Sequence, residues 1–223
     1  MHTFENIRIF ATIASSALLA TATVHADEGK EGHVDLWVTA SNGSLVTGGW
    51  DHLTGEVVSP SLRVFEAEFG IDPLFPFATD EPGIGSDLLG ATLTMNLLAG
   101  LGRWNGAGFD ATDAVLAASY GGQDASTVAG GAFSFLVSEG LDLHPEYSLA
   151  GAGGDPLDGI YLAAFTVAST GYGTSETFWI VFNLNLDASD HEAARDWVEA
   201  NLVPAPHAIA VFALAAGARR RRR

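Results

Sequence analysis

The 223-residue chain has no cysteine. Disulfides, thiolate metal sites and cysteine nucleophiles are therefore excluded, and an exported form would stand on its core alone. Positive charge is almost as scarce, with ten Lys and Arg against 27 Asp and Glu. Six of the ten lie in the terminal segments: Arg8 and the run Arg219 to Arg223. Between them Lys30, Arg63, Arg103 and Arg195 face 26 acidic residues, a net charge of −22. A field of that sign repels nucleic acid and anionic lipid and attracts cations. Long apolar runs are missing too. The stretch Ala208 to Ala218 has eleven residues, where a stable spanning helix needs roughly 20. No G-x-S-x-G, H-E-x-x-H or P-loop occurs; His191-Glu192 is followed by Arg195 where a zincin carries its second histidine. Paired carboxylates are unavoidable among so many acids and point to no hydrolase. The expectation is a non-enzymatic protein.

The two ends read as sorting segments. Met1 to Arg8 is a short polar start, Ile9 to Thr23 is apolar and small, and Val24-His25-Ala26 is an A-x-A-like site before Asp27-Glu28. This pattern predicts a signal peptide over 1–26, cut after Ala26 by signal peptidase. At the other end stand Val203-Pro204-Ala205-Pro206, the apolar stretch, and five arginines beginning at Arg219. Positive charge crosses a membrane poorly, so the arginines would act as a cytoplasmic stop. This tail, 203–223, resembles the PEP-CTERM signal of Gram-negative envelope proteins, with Val-Pro-Ala-Pro in place of Pro-Glu-Pro. The resemblance implies exosortase-type processing near Pro204 and Pro206. It also implies a body held in the outer envelope, at the cell surface or in the extracellular matrix.

What remains, 27–202, suffices for one well-buried domain. Val34 to Ala40 alternates, Asn42-Gly43 is a type I′ hairpin signal, and Leu45 to Trp50 returns. Further strands are predicted over 61–69, 91–98, 114–120, 131–138, 160–169 and 177–186. Turn clusters at Asp80-Glu81-Pro82-Gly83, Asn105-Gly106, Gly121-Gly122 and 151–159 separate them. The pattern predicts an all-β, antiparallel sandwich or jelly-roll-like single domain. One C-terminal helix follows, with Ser189 as N-cap and Glu192 closing a capping box. Ala194, Trp197, Val198 and Leu202 form its apolar face. The signal and sorting segments would add a helix each.

Four histidines belong to the body: His33, His52, His144 and His191. His33 and Asp35 form H-x-D at the start of the first strand, where residues two apart share a face and can converge on one ion. His144 lies in Leu141-Asp142-Leu143-His144-Pro145-Glu146. His191 opens the helix beside two acids, and His52 ends the first hairpin; each has a structural reason to be there.

Gly32-His33-Val34-Asp35-Leu36, with Leu143-His144 ahead of Gly159-Ile160-Tyr161-Leu162, resembles surface-anchored domains of the choice-of-anchor M type. That resemblance implies extracellular metal handling. Glu146 stands where such domains carry the second histidine of H-x-H. The candidate metal set is thus His33, Asp35, His144 and Glu146, suited to zinc, with affinity falling below about pH 6 as the imidazoles protonate. Calcium is the second candidate ion, through the acidic loop bearing Asp72, Asp80, Glu81 and Asp87. Extracellular polysaccharide is the alternative partner. Trp37, Trp50, Trp104 and Tyr172 could stack on sugars, although Trp104, Phe178 and Trp197 fit core positions better.

Overall fold

The computed structural model describes residues 34–51 and 53–204. The signal segment with Ala26, residues His33 and His52, and the tail with Pro206 and Arg219 lie outside the described residues. Pro204 is the last described residue and is exposed. Among the described residues no helix is long and apolar enough to cross a membrane.

The described chain is mostly β, built from several sheets with one C-terminal helix. The first sheet contains β1 (Asp35–Ser41), β2 (Ser44–Asp51), β3 (Glu56–Ser59) and, out of chain order, β6 (Ile84–Ser86). Asn42 and Gly43 join β1 to β2 with φ of 51° and 82°. Positive φ at both central residues is what a type I′ turn requires, and the expected hairpin is formed. Its register runs from Asp35 opposite Trp50 to Ser41 opposite Ser44.

The largest sheet takes β4 (Val64–Glu68), β7 (Thr92–Leu97), β12 (Gly131–Leu136), β14 (Gly159–Ser169) and β15 (Phe178–Leu184). Its strand order is β12-β7-β14-β15-β4. The short pair β8 (Gly102–Trp104) and β9 (Phe109–Ala111) joins through β14. A third sheet orders β11 (Gln123–Ser126), β10 (Val115–Tyr120), β13 (Glu146–Ala150) and β5 (Ala78–Thr79).

The antiparallel expectation needs one correction. β1 pairs parallel with β6, and β15 pairs parallel with β4. Neither pair is consecutive in the chain, so a hairpin cannot set its direction.

All three sheets contribute to one apolar core. Leu36, Val38 and Leu45 come from the first sheet, Leu93, Phe165 and Phe182 from the second, and Leu116, Tyr147 and Leu149 from the third. Fully burying such side chains stabilises by roughly 1.5–3 kcal/mol each before entropy is counted. Phe178 is buried as expected, stacked on Phe165 with ring centroids 5.7 Å apart.

The helix α1 (Ala188–Asn201) lies where its periodicity predicts, but its start is corrected. Asp187 is the N-cap and makes no side-chain cap bond, while Ser189 is already inside the helix. Asp187 is extended (ψ 147°), which sets the first turn two residues earlier than a capping box at Ser189 would. Ala194 and Val198 are buried against Val64, Ile160 and Val181. Trp197 packs with Trp104 and Phe109 at centroid distances of 6.2 and 5.7 Å, a satellite cluster apart from the main core.

Candidate metal centre

Three neighbouring backbone segments bring Asp35 and His144 together across 109 residues of sequence. Leu36 N–H donates to the Gly83 carbonyl at 3.0 Å, pinning the start of β1 to β6. Ile84 and Leu143 exchange both backbone hydrogen bonds, at 2.7 and 3.1 Å. The three inward residues, Leu36, Ile84 and Leu143, are core. Their neighbours Asp35, Gly83 and His144 therefore fall on the opposite face by strand alternation.

Gly83 is the spacer of this row. A Cβ on it would lie 2.8 Å from His144 Cε1 and 3.1 Å from Asp35 Cγ. Its absence lets the imidazole and the carboxylate approach over the backbone. Gly83 N–H donates to Asp35 Oδ1 at 2.7 Å and to Glu81 Oε2 at 3.1 Å, so one amide orients both acids.

Around His144 the acids gather in two overlapping sets. Asp35, Asp142 and His144 present ligand atoms within 4.8 Å of one another, and so do Asp80, Glu81 and His144. Either set could hold a metal ion. Asp35 is fully buried, whereas Asp142 is exposed and His144 half-buried.

The ring contacts fix what His144 can do. Its Nδ1 lies 3.1 Å from the Asp80 main-chain carbonyl, which can only accept, so Nδ1 carries a proton. Its Nε2 lies 3.1 Å from Asp142 Oδ1. A neutral ring would turn a lone pair towards that carboxylate, so Nε2 must hold either a proton or a metal ion. Burial works to lower the pKa of His144, but the Glu81 charge, the Asp80 hydrogen bond and the Asp142 and Asp35 charges outweigh it. The net shift is upward, so protonation competes with metal at higher pH than an ordinary imidazole would allow.

Tyr147, three residues beyond His144, is completely buried and its hydroxyl has no hydrogen-bond partner among the described residues. Burial, then the Glu81 and Asp35 charges, push its pKa up.

No protein-family model, curated protein or solved structure matches the chain. The centre rests on its own atoms.

Of the expected ligands, the fold brings Asp35 and His144 together. Glu146 is exposed and belongs to neither set among the described residues. It stands next to buried Tyr147 at the start of β13, where alternation turns the two side chains to opposite faces. His33 lies outside the described residues.

Asp142, Asp80 and Glu81, none of them in the expected zinc set, are the acids that lie with His144 in these groups. The D-x-H spacing of Asp142 and His144 was the available signal, the mirror of the H-x-D at the first strand. The acidic loop expected to bind calcium divides instead. Asp72 accepts from Leu74 N–H at 2.8 Å and Asp87 from Thr39 Oγ1 at 3.1 Å, leaving Asp80 and Glu81 beside His144.

Proposed function

We propose that this is an exported, envelope-anchored, non-enzymatic β-sandwich that binds a divalent metal ion, zinc, through Asp35, Asp142 and His144. One observation carries the reading: a histidine whose Nδ1–H is tied to a main-chain carbonyl turns Nε2 towards the Asp142 carboxylate, with the fully buried Asp35 in the same group of ligand atoms. Fixing one ring nitrogen by a backbone acceptor is how proteins orient metal-ligating imidazoles. One nitrogen and two oxygen donors, with a further position for water or His33, suit zinc in a four- or five-coordinate shell. Calcium would favour six to eight oxygens and no imidazole. The acidic body, net −22, adds a long-range attraction for cations. The signal and tail resemblances support placement outside the cytoplasm, with signal peptidase and an exosortase-type enzyme as processing partners.

Equilibrium dialysis of the full chain against zinc at neutral pH is the test. One zinc per chain, lost in His144→Ala and in Asp35→Asn, is the expected result; His33→Ala then reads the part of His33. Zinc binding that survives both Asp35→Asn and His144→Ala would overturn the assignment.

A second reading, polysaccharide adhesion, is favoured by one feature. Trp37 and Trp50 pack against each other at 5.6 Å over Gly85, half-buried and on the same strand face as Asp35. Retention on an immobilised polysaccharide, abolished by Trp37→Ala and indifferent to chelator, would favour it.

A further inference from the structure

A buried histidine, far in sequence from the candidate metal centre, has a different partner set. His191, in the first turns of α1, is only 5% exposed. Its Nε2 lies 2.9 Å from the Val181 carbonyl of β15 and its Nδ1 lies 3.0 Å from Glu68 Oε1 of β4. The carbonyl can only accept, so Nε2 carries a proton.

Neighbouring contacts settle the other nitrogen. Leu186 N–H donates to Asn183 Oδ1 at 3.1 Å, which fixes the orientation of that amide. Asn183 Nδ2 therefore faces Glu68, at 3.3 and 3.2 Å from its two oxygens. Glu68 is thus an acceptor on both oxygens. Nδ1 of His191 must then donate as well. With both nitrogens donating, the ring is an imidazolium buried between helix and sheet.

We infer that His191 is a proton-held latch that docks α1 on the face of β14, β15 and β4 that points away from the main core, and that removing its proton loosens the helix. Among the described residues, the charged groups near it come from β4 and from α1 itself. From β4 come Glu68 and Glu66, the latter 4.0 Å from Nδ1. From β15 come only the Val181 carbonyl and, through Glu68, the Asn183 amide. On α1 itself Arg195 lies one turn on, 3.0 Å from Glu66 and 3.4 Å from Glu192, while Asp190 is the first-turn acid.

Neutral His191 cannot satisfy both acceptors, so one buried bond is lost, while Glu66 keeps its pairing with Arg195. Burial works to lower the pKa of His191, but the Glu68 and Val181 hydrogen bonds and the Glu66 and Glu68 charges raise it overall. A raised folded pKa contributes stability that is complete below the unfolded value of about 6.5 and fades as pH rises through the folded value. The latch therefore opens on the alkaline side. Opening would bare Val64, Ile160 and Val181, together with the Trp104–Phe109–Trp197 cluster. It would also free Leu202 and Val203, which pack against the same cluster.

Amide hydrogen exchange of the full chain, corrected for intrinsic rates, tests this between about pH 6 and pH 9. Protection over 191–202 should fall at least about tenfold while β7 and β14 hold. Glu68→Gln should move the midpoint at least about one pH unit lower. In His191→Gln protection should be low and flat with pH. Helix protection that does not change with pH in the native chain, or that changes identically in Glu68→Gln, would overturn the latch. An NMR titration placing His191 below about 6.5 would do the same.

Discussion

The Nδ1 of His144 lies 3.1 Å from the main-chain carbonyl of Asp80, and only an N–H can satisfy that oxygen. This relationship leaves Nε2 as the one ring nitrogen open to exchange between a proton and a metal ion. Each proposal about the centre follows from it.

Zinc affinity should depend on pH more steeply, and up to higher pH, than an unperturbed histidine would give. The pKa of His144 is raised, so binding must displace a proton throughout the range below that value. Affinity should climb by about tenfold per pH unit up to a point above about 6.5 and then level off. Isothermal titration in buffers of different ionisation enthalpy measures the protons released. Affinity that is flat from pH 6 to 8 would remove His144 from the shell.

Gly83→Ala should damage the centre and spare the fold. The new Cβ would lie 2.8 Å from His144 Cε1 and 3.1 Å from Asp35 Cγ, closer than atoms pack without movement. The imidazole must swing away, and zinc affinity should fall at least about tenfold, the range seen when a ligand loses its orienting contacts. Far-ultraviolet circular dichroism should be unchanged.

Tyr147→Phe should leave the metal-free protein as stable or more stable. The hydroxyl is buried without a partner among the described residues, and such a group carries a desolvation penalty of about 1–3 kcal/mol. Urea denaturation with chelator present reads the change. A clear loss of stability would show that the hydroxyl is hydrogen-bonded in solution.

Gly43→Val should weaken the first hairpin. Gly43 has φ of 82°, which a β-branched side chain resists, at a cost of about 1–2 kcal/mol. A lower urea midpoint with an unchanged m-value is the expected signature.

Long alternating segments were legible in the sequence because each declares its own period. All eight strands predicted from alternation are present, and Asn42-Gly43 marks its turn. The short strands were not legible. Ile84–Ser86 and Ala78–Thr79 carry too few residues to show a period and exist because partners hold them: Leu36 and Leu143 in one case, Tyr147 and Ser148 in the other. That same dependence hid half of the centre. Asp35 and His144 were visible as residues with ligand chemistry. Asp80, Glu81 and Asp142 became partners of His144 only through the pairing of Ile84 with Leu143, a contact spanning 59 residues. The sequence placed His191 in the first turn beside two acids but could not show its partners, since Glu68 and Val181 reach it only after β4 and β15 pair.

The most direct test is the long-range proton–nitrogen NMR spectrum of the His144 ring, recorded on the full chain with and without one equivalent of zinc. The account predicts that zinc shifts the Nε2 resonance and removes its proton while Nδ1 keeps its own, bonded to Asp80. Zinc that leaves both His144 nitrogens unchanged, or that coordinates through Nδ1, would contradict it.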